Sequence, residues 1–111
     1  EEARSVGVLR VWKLGESSCL QEVGREEDLC DTLGDRYIHA LAFDSLGRRL
    51  FAGRNNGTVR TFLVDACGSK LTVIADFRAS DQRVCTVLHC QERSVFFTVD
   101  RRARLRVWDC P

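Results

Sequence analysis

The sequence predicts an all-β fold of about nine strands, built from repeated four-stranded antiparallel units, and three observations carry that prediction. The first is self-similarity. A shift of 46 residues lays YIHALAFDSLGRRLFAGRNNGTVRTF, residues 37–62, over residues 83–108 without a gap. The overlay matches Ile38 with Val84, Leu41 with Val87, Val59 with Leu105, Arg60 with Arg106 and Phe62 with Trp108. A shift of 50 lays GVLRVWKL, residues 7–14, over GTVRTFLV, residues 57–64, keeping the glycine, the arginine and an aromatic. A fixed period of this size marks an array of supersecondary units that bury their faces on one another. The second is strand periodicity: VRTF and LRVW alternate and are rich in β-branched and aromatic residues, with no long helical spacing. The third is punctuation. Ser45-Leu46-Gly47 and Asn55-Asn56-Gly57 stand between apolar runs, and Asn-Gly supplies the positive φ of tight hairpins.

In chain order, VLRVWKL predicts a strand over 8–14 and CLQEV one over 19–23, together the end of one unit, residues 1–23. A complete unit follows at 37–77, with strands over 37–43, 49–53, 58–64 and 70–77 separated by the two turns already named. The third copy, residues 83–111, supplies strands over 83–90, 94–99 and 104–109. The single proline stands at position 111, so none interrupts a strand.

Composition narrows the function classes. With 17 basic and 16 acidic residues the net charge is +1, which gives no global field toward nucleic acid or an anionic membrane. No apolar run approaches the roughly 20 residues of a membrane-spanning helix. The N-terminal EEARSVGVL does not resemble a secretory leader, and the expectation is an intracellular protein of the cytoplasm or nucleus. The chain has no Met, so a piece of a longer chain is expected. The six cysteines, at 19, 30, 67, 85, 90 and 110, include no pair at zinc-knuckle spacing. They read as reduced small hydrophobes, with no metal and no cofactor implied.

At this point the residues resemble a known family. AFDSLGRRLFAGRNNGTVRTF is similar to the first three strands of a WD40 blade, and RLRVWDCP resembles the Trp-Asp close of another. The resemblance makes Trp12, Gly57, Phe62, Trp108 and Asp109 the structural repeat positions. It implies antiparallel four-stranded blades of a β-propeller forming an incomplete ring of just over two blades. Propellers close with typically 4 to 8 blades, so the remaining blades are expected from the same parent chain or from other subunits. Open faces and edges make the isolated piece prone to associate. The chain departs from the family pattern in three places. Trp-Asp survives only at Trp108-Asp109, Gly34-Asp35 replaces the Gly-His pair, and Asn55 or Asn56 and Arg101 or Arg102 take the place of the acidic turn residue. The family's buried network of Asp, His, Ser/Thr and Trp is therefore expected not to assemble.

Catalysis has no sequence support. His39 and His89 are the only histidines, and no Gly-rich phosphate loop or nucleophile elbow is present. His89 occupies the repeat position of Phe43 and reads as structural; His39 lies near the rim of its blade. Asp44, Asp65, Asp76, Asp100 and Asp109 fall at strand ends or turns, where carboxylates bond nearby backbone. Fifteen of the 17 basic residues are arginine, densest at Arg101, Arg102, Arg104 and Arg106. The first two suit an acidic partner, while the strand arginines are expected to pack their stems and keep their heads in solvent. The longest connection, residues 24–36, carries Glu26, Glu27, Asp28, Asp31 and Asp35 and is either a binding loop or a solvated insertion.

By the resemblance, partner contacts concentrate on one propeller face, at Arg36, Tyr37, His39, Arg54, Asn55, Arg83, Asp100, Arg101 and Arg102. The leading reading is a non-catalytic protein–protein interaction scaffold that binds other proteins or peptides. The alternative is an RNA contact surface on the arginine turns. The near-zero net charge and the lack of an aromatic stacking series weigh against the alternative.

Overall fold

Alternating sequence becomes nine strands in the computed structural model, which describes residues 9–12, 19–23, 37–66 and 70–110. Strands β1 (Leu9–Trp12) and β2 (Cys19–Val23) form a two-stranded antiparallel sheet. Strands β3 (Ile38–Asp44), β4 (Arg49–Arg54), β5 (Thr58–Val64) and β6 (Leu71–Arg78) pair in sequence order as a four-stranded sheet. Strands β7 (Val84–Cys90), β8 (Val95–Asp100) and β9 (Leu105–Asp109) form a three-stranded sheet. All pairings are antiparallel, as hairpin succession requires. The observed bounds fall within a residue or two of those expected, apart from residues 8, 13 and 14, which lie outside the described residues. The repeat extends to irregularities: β3 and β7 carry bulges at equivalent positions, Ile38/Ala40 and Val84/Thr86.

Because side chains alternate along each strand, the four-stranded sheet has two usable faces. One face presents Phe51, Val59 and Phe77 to Val84, Val87 and Phe96 of the three-stranded sheet. Phe51 and Phe96 stack at 4.6 Å between ring centroids, and Phe77 tilts against Trp108 at 5.0 Å. The other face presents Ala52, Phe62 and Leu71 to Leu9 and Val11 of β1. Each fully buried side chain of this size contributes roughly 1.5–3 kcal/mol of transfer free energy. Polar contact supports the second junction, since the Gln21 side chain bonds both the N–H and the C=O of Leu71.

Two glycines set how closely segments approach. A Cβ added to Gly53 would stand 2.6 Å from Val84 Cγ1, so the bare backbone of β4 is what admits β7. Gly57 has φ +90° and lies under the chain between β6 and β7, where an added Cβ would collide with the Ser80 carbonyl. Its own carbonyl accepts from the N–H groups of Ala79 and Ser80, at 2.9 and 3.0 Å. The β4–β5 turn thereby fixes the path from the second sheet to the third.

Candidate functional site

Along one rim of the molecule the β4–β5 turn, the β6–β7 link, the β8–β9 turn and the residue before β3 lie side by side. Asn55 is the hub of the first part. Its N–H donates to the Tyr37 carbonyl at 2.8 Å, and its Oδ1 accepts from Arg83 Nε at 3.1 Å and faces His39 Nε2 at 3.1 Å. Arg101 N–H in turn donates to the Arg83 carbonyl at 2.9 Å. Arg78 crosses the same rim, its NH1 donating to the carbonyls of Asn56 and Ser80.

Asp100 organises the second part. Its Oδ1 accepts from the N–H groups of Arg102 and Arg104, at 2.9 and 3.0 Å, closing the β8–β9 turn. Its Oδ2 accepts from Ser80 Oγ at 2.6 Å and from Arg104 Nε at 2.8 Å. Arg104 also bonds Asp81, and Arg106 NH1 donates to the Ala79 carbonyl at 2.9 Å. The Ser80 hydrogen bond holds the Asp100 carboxyl well below its ordinary value; burial opposes this, and the N–H groups of Arg104 and Arg102 assist it. The Arg104 guanidinium likewise holds Asp81 below the ordinary carboxylate value. Trp108 Nε1 donates to Thr98 Oγ1 at 3.0 Å on the same sheet.

These contacts correct three expectations. A polar network does assemble in the third sheet, in altered form, as Trp108 on Thr98 and Ser80 on Asp100. The acidic turn residue is Asp100 itself, one position ahead of Arg101. Arg104 and Arg106 keep side chains 40% exposed, but their heads are not simply solvated; both are tied to the β6–β7 link or to Asp100.

The residues expected to meet partners separate into two groups. Tyr37, His39, Arg101 and Arg102 are exposed on the rim, with Asn55 and Arg83 half-buried among them. Arg54 and Asp100 are buried, at 3% and 4% exposure, and serve the fold. Arg54 stands where Asp100 stands one repeat later, its Nε donating to Thr58 Oγ1 at 3.0 Å and its NH2 3.7 Å from Asp76. Strand alternation turns both side chains inward, which a rim assignment by position alone does not register. Arg36 and the 24–36 loop lie outside the described residues. Among the repeat positions, Phe62 and Gly57 are buried, Trp108 is half-buried, and Trp12 and Asp109 are exposed.

The strand-end aspartates behave as turn-makers at Asp44, Asp65 and Asp100, which accept from backbone N–H groups of Gly47, Lys70 and Arg102. Asp76 departs from that pattern and pairs with Arg60 at 2.7 Å. On the opposite rim His89 is structural: its ring stacks on Phe51 at 5.9 Å and its Nε2 lies 3.5 Å from Asp44 Oδ2.

Stacked antiparallel sheets in sequence order, joined face to face, define a propeller-like all-β fold. Among solved structures that match, a chain in a crystal structure of the mitotic checkpoint complex superposes with a TM-score of 0.72 at 14% identity. The match covers 94% of this chain and 30% of that one, so this chain spans about a third of its structural neighbour. At that identity the likeness speaks to fold alone. No family model and no curated protein matches the sequence.

Proposed function

We propose that this chain is a segment of a WD-repeat propeller and serves as a non-catalytic interaction scaffold in a larger intracellular protein or complex. One observation supports the reading above others. Asn55 and Asp100 lock three separate loops into a single rim while leaving Tyr37, His39, Arg101 and Arg102 exposed. Rigid scaffolds that display mobile polar side chains on connecting loops are the usual architecture of binding surfaces. The structural neighbour's place in a multi-protein complex accords with protein partners; the proposed setting is the cytoplasm or nucleus.

Cross-linking mass spectrometry on the full protein in cells tests this. Arg101→Glu/Arg102→Glu is expected to remove a discrete set of protein partners that Arg48→Glu/Arg93→Glu, on the opposite rim, retains. Identical partner sets for the two variants would sink the reading, as would cross-links that vanish on nuclease treatment.

A further inference from the structure

The arginines near the two larger sheets fall into two populations. Arg49, Arg54, Arg60, Arg104 and Arg106 each reach an aspartate, at separations between 2.7 and 3.8 Å for the pairs with Asp44, Asp76 and Asp100. Arg83, Arg101 and Arg102 have no carboxylate within salt-bridge distance among the described residues. Arg78 is held by two backbone carbonyls and also lacks an acidic partner there. The two aspartates of this rim, Asp81 and Asp100, are already engaged by Arg104. The rim is thus locally cationic on a chain whose net charge is only +1.

Geometry adds to charge. Arg83 Nε is anchored on Asn55 Oδ1, which orients the guanidinium and leaves its two terminal amino groups available. Arg101 is fixed beside it through the backbone bond to the Arg83 carbonyl, and Arg102 follows directly. Guanidinium groups bind carboxylate and phosphate oxygens in bidentate fashion, and a pre-oriented one loses less side-chain freedom on binding. His39 Nε2 faces the same hub, 3.1 Å from Asn55 Oδ1, which holds the ring on this rim.

Resting on the scaffold reading above, we propose that this rim binds an acidic peptide segment, seating its carboxylate or phosphate oxygens on Arg83, Arg101 and Arg102. A protein ligand fits better than a nucleic acid. Tyr37, at 39% exposure, is the rim's one exposed aromatic ring among the described residues, where single-strand binding uses a succession of stacking platforms. Arg48 and Arg93, each without an acidic partner among the described residues, lie on separate turns of the opposite rim and form a matched control.

The test is fluorescence anisotropy of the full protein with labelled probes: a Glu/Gly peptide, its Gln/Gly counterpart, a phosphoserine/Gly peptide and an oligo-uridine. The Glu or phosphoserine peptide is expected to bind and the Gln peptide not. Arg83→Gln and Arg101→Gln/Arg102→Gln each weaken binding by about tenfold or more, while Arg48→Gln/Arg93→Gln leaves it unchanged. Preference between the two binding peptides identifies the source of the anion. Equal binding of the Gln peptide, tighter binding of oligo-uridine, or equal losses in both variant sets overturns the proposal. If acidic probes fail while the cross-linked partner set still depends on Arg101 and Arg102, the acidic-ligand proposal falls and the scaffold reading stands. If the partner set is also unaffected, both fall.

Discussion

Ser80 Oγ donates a 2.6 Å hydrogen bond to Asp100 Oδ2, and both side chains are buried where the link leaving one sheet passes the second hairpin of the next. The bond couples two segments 20 residues apart, so the relative setting of the sheets depends on it. Ser80→Ala leaves a buried carboxylate oxygen short of one donor, and a fall of roughly 5 °C in melting temperature is expected. An unchanged melt would mean that the Arg104 guanidinium suffices for Asp100 Oδ2.

The same carboxylate makes stability depend on pH. Its folded-state value lies below the ordinary 3.8, so its contribution is fully present above about that pH and is lost as pH falls toward the folded value. Asp81, lowered by Arg104, acts in the same direction. Melting temperature is therefore expected to fall as pH drops below about 4, and the Asp100→Asn variant to start lower and decline less steeply. Parallel curves for the two proteins would rule out Asp100 as the titrating group.

Register between repeats yields a stabilising change. Gly57, φ +90°, and Ala103, φ 64°, occupy equivalent hairpin positions one period apart. Alanine in the left-handed region costs about 1–2 kcal/mol, while glycine's extra unfolded-state freedom returns about 0.5–1. Ala103→Gly is expected to stabilise by up to about 1 kcal/mol in denaturant unfolding. Gly57→Ala, with a carbonyl in its path, is expected to cost more than that strain alone and to broaden or abolish the transition.

Phe96 gives the measure of the junction between the larger sheets, since it is fully buried and touches both Phe51 and Phe77. Phe96→Ala removes the ring from a site closed on both sides, and a loss of about 3–5 kcal/mol is expected by chemical denaturation. A loss below about 1 kcal/mol would mean that the two sheets slide together to fill the space.

Strand positions were legible because alternation and Gly57 are local signals, carried by residues two to four apart. The repeat offset holds in the structure down to its irregularities, since the bulge before Ala40 recurs before Thr86. Ser80 and Asp100 were not paired in advance, because their meeting depends on the register of β7 on β8 and on how the link crosses Gly57. A signal was present in DRRAR: an aspartate at the last strand position can cap the turn that follows it. Arg54 was misplaced on the rim for the complementary reason. Position in a repeat locates a residue along the strand, but the face its side chain takes decides whether a partner can touch it.

Self-association is the remaining expectation with a definite structural address. Opposite the buried face of the three-stranded sheet, Leu88, Phe97 and Val107 stand in register across β7, β8 and β9, with Val99 and Leu105 beside them. Leu88, Leu105 and Val107 are 58%, 63% and 57% exposed, and β9 ends the sheet with an unpaired edge among the described residues. Contiguous apolar surface beside an open edge favours association with whatever sheet is offered, including another copy. Light scattering on the 111-residue chain is expected to show mass rising with concentration, and Leu105→Lys/Val107→Lys to lower it toward the monomer. Both positions alternate outward from β9, so the change spares the Phe96 and Trp108 side of the sheet. A sharp-melting monomer of the unaltered chain would mean that this face tolerates water, and that nine strands suffice for a closed energetic unit without further sheets.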